Sequence, residues 1–290
     1  ERDFKIHRRT KYSHYKNRTN GRKFGKTVFG GGRKMKSLGA FIKKEWLDIV
    51  RSGRLLVLVL IFLMLGIMNP AIAKLTPWLM EMTAESLKDS GLIVTTVTVD
   101  AMTSWTQFVK NAPMGLIAFI LISSNLFTKE YDTGSLILVL TKGLARYKVV
   151  LAKWILLVLT WTICYFIYWG ITYGYNAYFW DNSVAQNLME VAMCWWLLGI
   201  FAIAFLVLFS TLFKNSAMVL LGTGGIFLLS YIMGMIPKLA DYMPTTLMNT
   251  TSLLTGVEEV EIYTAAFIIT AILGVLGMII SIPILNKKKL

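Results

Sequence analysis

Six long apolar runs, at about 54–74, 110–127, 149–179, 188–213, 216–236 and 262–285, constrain this chain more than any other feature. A hydrocarbon core of roughly 30 Å takes about 20 apolar residues of helix to cross, and only a helix or a closed barrel satisfies the backbone inside it. The runs predict an all-α membrane protein with six transmembrane helices. Asn69-Pro70 falls near the end of the first run and predicts a kink or a stop there. Composition agrees: 56% of the 290 residues are hydrophobic and the mean hydropathy is +0.59, against about 45–50% apolar residues in soluble domains.

The connecting segments sort by charge. Segments 1–54, 128–153, 214–215 and 286–290 carry 26 Lys/Arg and 6 Asp/Glu, whereas 71–112, 180–190 and 237–261 carry 4 and 10. Counted from Met35 the Lys/Arg split is still 14 to 4. Excess Lys/Arg marks the cytoplasmic side, so both termini are expected there.

Aromatic residues crowd the outer half of the third run, from Tyr165 to Trp180, where an interfacial belt is the expected role. Gly170 and Gly174 form a GxxxG that permits close helix approach. Cys164 and Cys194 lie inside apolar runs and read as small buried hydrophobes, not as a disulfide or metal site. Polar points within the runs, Asn69, Ser123, Ser124 and Thr223 among them, read as helix–helix contacts. Glu258, Glu259 and Glu261 read as a solvated acidic loop, because paired catalytic acids need a shaped site that shifts their pKa.

Residues 1–34 are basic, lack an apolar run, and have no acid after Asp3. Without an apolar segment they are not a signal peptide. The run GGGRKM is what a purine-rich ribosome-binding site would encode, so Met35 is expected to be the start and 1–34 a disordered upstream extension. A basic arm for anionic lipid or nucleic acid is the competing reading. Gly21–Thr27 spells GxxxGKT, one residue short of a phosphate-binding loop and with no strand ahead of it. No nucleotide site is expected on this chain.

Two segments on the basic side stand out. Over 35–53, Leu38, Phe41, Ile42, Trp46, Ile49 and Val50 recur at helical spacing, while Lys43, Lys44, Glu45, Asp48 and Arg51 fill the other faces. This predicts an amphipathic interfacial helix, broken at Ser52-Gly53 before the chain enters the bilayer. Over 128–148, charges at Lys129, Glu130 and Asp132 precede Thr133-Gly134-Ser135, then the apolar patch Leu136–Leu140, then Gly143 and Arg146. A helix this short cannot span, and its apolar patch needs a cover from this chain or from a partner's groove.

That second segment resembles the first intracellular coupling segment of ABC-2-type exporter permeases. There an acidic residue, three further positions, Gly, Ser/Thr and Leu lead through apolar residues to Ser/Ala-Arg and Lys. The matching residues here are Glu130, Gly134, Ser135 and Leu136, then Ala145-Arg146 and Lys153. Gly143 stands where the family often has Pro. The resemblance extends to the plan over about 36–290: an amphipathic leading helix, six spans, and both termini inside. It implies a multi-pass subunit of a bacterial plasma membrane that pairs with a second copy or a paralogue and docks on a separate cytoplasmic ABC ATPase. ATP and Mg would then sit on that ATPase, with no cofactor, metal or catalytic residue on this chain; membrane lipids are a further partner, and nucleic acid is not. The implied coupling residues are Lys129, Glu130, Asp132, Gly134, Ser135, Leu136 and Arg146, with Lys43, Lys44, Glu45 and Trp46 on the leading helix.

Other functions fit less well. A stand-alone channel or secondary transporter predicts charges or breaks within the spans, where only Lys153 comes close. A membrane-embedded enzyme predicts catalytic side chains that the runs do not supply. The cargo is not encoded in any motif of the chain.

Overall fold

The computed structural model describes residues 30–87, 99–141 and 143–288. Two compact units divide the chain, Glu1–Lys36 and Ser37–Leu290. Of the first, the described part is helical from Gly30 onward, so helix begins ahead of the expected boundary at Met35. Residues 1–29, most of the expected leader, lie outside the described residues.

Every regular element among the described residues is helical. Helix α1 (Gly30–Arg51) ends at Ser52-Gly53, the predicted break, and α2 (Arg54–Leu87) follows. Then come α3 (Ala101–Ser123), the short α4 (Asn125–Asp132) and α5 (Ser135–Thr141), and the long α6 (Arg146–Phe179). A tight turn at Asn182–Val184 leads to α7 (Leu188–Leu212) and α8 (Ser216–Gly234). The chain then folds through α9 (Pro237–Ala240), a 3-10 turn at Pro244–Met248 and α10 (Thr251–Leu254) into α11 (Val260–Lys287).

Six segments are long and apolar enough to cross a membrane: Arg54–Met82, Ala101–Tyr131, Arg146–Phe179, Leu188–Leu212, Ser216–Gly234 and Val260–Lys287. They coincide with the six predicted runs, with two changes. Helix α2 continues through Pro70 and Pro77 where a stop was an option. Its buried Asn69 donates to Thr172 Oγ1 at 3.0 Å and accepts from Asn111 Nδ2 at 2.8 Å, tying α2 to α6 and α3 at the proline. The second span starts nine residues early, at Ala101 in place of 110, because Asp100 caps α3 through Thr103 N and the added turns bury Trp105 and Phe108.

Helix α7 is the centre of the bundle. Its most apolar window is 78% buried, against 17% for α8 and 28% for α2 and α11. It packs on α6, α8 and α11, while α2 packs on α3 and α6. Small residues allow this: Gly199 faces the Trp161 indole, and Gly277 of α11 lies against Ala204. Gly170 and Gly174 have open space where a Cβ would stand, so the predicted GxxxG brings no helix among the described residues close. Tyr165 and Tyr168, expected at the interface, are core residues that donate to the Ala192 and Phe108 carbonyls. Tyr173, Tyr175 and Tyr178 further along α6 are exposed. Both cysteines are buried, as expected.

The antiparallel spans give the bundle two ends. One, the basic end, carries α1, α4, α5, the 213–215 turn and the end of α11. The other is capped by 181–187 and 236–259, held down by bonds such as Trp105 Nε1 to Asn182 and Trp195 Nε1 to Thr250.

Candidate functional site

The basic end holds a charge cluster built from three helices. Lys153 Nζ, on α6, donates to Glu45 Oε2 of α1 at 3.1 Å and lies 3.0 Å from Glu130 Oε1 of α4. Lys44 Nζ donates to Glu45 Oε1 at 2.8 Å and stands 3.9 Å from Glu130 Oε1. The Lys153 side chain is 0% exposed, and Glu45 and Glu130 are 3% and 14% exposed. Among the described residues two ammonium groups face two carboxylates, the balance of charge that burial at this depth requires.

Local sequence sets these positions. Glu45 was expected on a face other than the apolar one, but it lies midway along the row Phe41, Glu45, Ile49, which is the buried row of α1. Lys153 sits two turns into α6 among the buried Val149, Val150, Leu156 and Leu157. Burial opposes the charge of Glu45, but Lys153 and Lys44 outweigh it and hold the carboxyl below its ordinary value. Burial likewise opposes the charge of Lys44, and Glu45, Glu130 and Asp48 together outweigh it and raise the amine. Both Glu45 oxygens are bonded, whereas Glu130 Oε2 finds no hydrogen-bond partner among the described residues. Glu130 is therefore the looser half of the cluster.

Helices α4 and α5 are fastened to the bundle at further points. Gly134, at φ +65°, makes the turn between them in a conformation that a side chain would strain. Thr128 Oγ1 lies 2.7 Å from Ser216 Oγ at the start of α8. Tyr131 OH donates to Ser210 O of α7, and the Lys288 ammonium stands 4.2 Å over the Tyr131 ring. The same ammonium donates to the Thr211 carbonyl at 2.8 Å, closing the end of α7. Arg146 Nη1 donates to the Leu285, Asn286 and Lys288 carbonyls at 2.8, 2.9 and 2.8 Å, closing the end of α11. Cations at helix C-termini satisfy orphan carbonyls and complement the helix dipole. Burial and the nearby Lys214 lower the Lys288 amine.

The residues expected to contact a partner thus divide into two groups. Glu130, Leu136 and Arg146 turn inward onto the helices of this chain. Ser135 is half-buried and accepts from Thr133 Oγ1. Lys129 is exposed, as is Lys43 on α1, while Trp46 packs half-buried on the core. The side chains of Asp132, Leu138 and Val139 lie outside the described residues. Lys129 and Thr133 are exposed on and just past α4, as are Ile137, at 47%, and Thr141 on α5.

Lys153, Thr128, Tyr131 and Lys288 were not among the expected site residues. A lysine flanked at both i−4 and i+4 by apolar residues was the available signal for Lys153, because such a cation needs a buried acid. Nothing local marks Lys288, whose carbonyl partners lie 75–77 residues away. Among the described residues no three His, Cys, Asp or Glu side chains converge on a metal-sized site.

Comparison with known proteins adds one finding: residues 40–255 match the family model described as ABC-2 family transporter protein. No curated protein matches the chain.

Proposed function

The chain belongs to the ABC-2 family of transporter proteins, and on that premise we propose that it is the permease subunit of an ATP-driven exporter, coupled to a separate cytoplasmic ATPase. It is a multi-pass membrane protein with six spans. In this reading the basic end faces the cytoplasm of a bacterial cell, supported by the Lys/Arg split of 14 to 4. The subunit pairs with a second copy or a paralogue, and ATP and Mg reside on the partner ATPase.

One observation carries the reading. Helix α4 is bound to α1, α6, α7, α8 and the end of α11 by its inward groups, and α5 follows it at Gly134 with Leu136 buried, yet Lys129, Thr133 and Ile137 are exposed. A partner pressing on this segment would move several span ends together, not one loop. Ile137 supplies an apolar anchor and Lys129 a charged rim, the usual anatomy of a docking patch.

The test is purification of the full chain in mild detergent with its native partners, followed by assay of the recovered proteins for ATP hydrolysis. Wild type should bring down an ATP-hydrolysing partner. Ile137→Asp with Lys129→Glu should lose it while melting like wild type, because both side chains are exposed. A folded wild type that recovers no such partner would refute the reading and leave a channel or secondary transporter acting alone.

A further inference from the structure

At the end of the bundle opposite α1, a cleft of about 530 Å³ opens between α3 and the 236–259 cap. Val109, Pro113 and Trp195 make an apolar wall, Thr251 and Ser252 supply hydroxyls, and Lys110 and Glu258 bring one charge of each sign. Below it on α3, Met114, Ile117 and Leu121 form an exposed apolar stripe at spacings of four, three and four from Lys110. We propose that this cleft binds a zwitterionic phospholipid, with Lys110 on the phosphate, Glu258 on the ammonium, and acyl chain along the Met114–Ile117–Leu121 stripe.

Position supports the assignment. Lys110 lies about 14 Å from the start of α3, at 1.5 Å per residue, and lines the same cleft as Thr251 and Ser252 of the cap. Glu258 lies farther out, just ahead of α11, and its carboxylate is held by Tyr263 OH. From the membrane core outward the chain thus presents an apolar stripe, a cation and an anion. A phospholipid bearing an amine presents acyl chain, phosphate and ammonium in the same order. A lysine this close to an exposed apolar stripe calls for a counter-charge, and a phosphate supplies one. The inference rests on the membrane-spanning architecture and is independent of any ATPase partner.

The experiment uses the full-length protein, delipidated in detergent and titrated with phosphatidylethanolamine, phosphatidylglycerol or soluble phosphoethanolamine, with bound lipid read by native mass spectrometry. Phosphatidylethanolamine should bind best. Lys110→Ala should weaken it about tenfold, the order expected for loss of one hydrogen bond to a charged group, and Lys110→Arg should retain it. Glu258→Gln should abolish the preference for ethanolamine over glycerol headgroups. Lys110 is exposed, so its variants should fold. Equal binding by wild type and Lys110→Ala would overturn the proposal, as would soluble phosphoethanolamine matching the intact lipid. Efficient disulfide formation between Met114→Cys chains in native membranes would overturn it too, assigning the stripe to a second copy.

Discussion

Lys153→Met removes the cation at the centre of the buried cluster and keeps a side chain of similar length and apolar character. The contacts at 3.1 Å to Glu45 and 3.0 Å to Glu130 vanish. Lys44, with its side chain 48% exposed, is then left facing two carboxylates. Removing one partner of a buried pair typically costs about 3–5 kcal/mol, most of it the penalty of the charge left behind. At about 2–4 °C per kcal/mol for a domain of 150–250 residues, the melting temperature should fall by on the order of 10 °C. Adding Glu45→Gln restores charge balance, because Lys44 and Glu130 then remain as a neutral pair. The double variant should therefore recover most of the loss. The assay is thermal unfolding of the purified chain in detergent, followed by tryptophan fluorescence, for wild type, both single variants and the double. If Lys153→Met melts within about 1 kcal/mol of wild type, or if the two substitutions simply add, the cluster is not a buried charge-balanced unit and the reasoning fails.

Three further outcomes can be checked. The carboxyl of Glu45 is held below its ordinary value of 4.5, so the stability it contributes is in place above pH 4.5 and is lost as pH falls through the lower folded-state value. Melting of wild type should drop across that acid range, and Glu45→Gln should be flatter there; parallel curves would contradict this. Gly199→Ala places a methyl inside the Trp161 indole, and should destabilise by about 1–3 kcal/mol through overpacking, with Trp161→Leu recovering part of the loss in the same melt. Arg146→Ala leaves the Leu285, Asn286 and Lys288 carbonyls without their donor. Amide exchange in the last turn of α11 should quicken while the centre of α7 stays protected, and unchanged exchange over 281–288 would show that Arg146 does not hold that end.

Apolar runs of bilayer length admit few solutions, because a backbone without water must bond to itself. The six spans, the break at Ser52-Gly53 and the turn at Gly134 were therefore legible in the sequence, each set by residues within a few positions of one another. Asn69 was legible as a helix contact, though not its partners Asn111 and Thr172. What the sequence could not decide was which face of each helix meets which neighbour. Glu45 and Lys153 are 108 residues apart, and only the packing of α1 across α4 and α6 makes their charges a pair and turns Glu130 inward with them. The same holds for Tyr165 and Tyr168, which belong by composition to an interfacial belt but by packing to the core, and for Gly170 and Gly174, whose spacing invites a helix that the described residues do not supply. Helical periodicity is local and fixes where a side chain stands on its own helix. The partner it meets depends on the close approach of α6, α7 and α11 around Gly199 and Gly277, and that is a property of the assembled bundle.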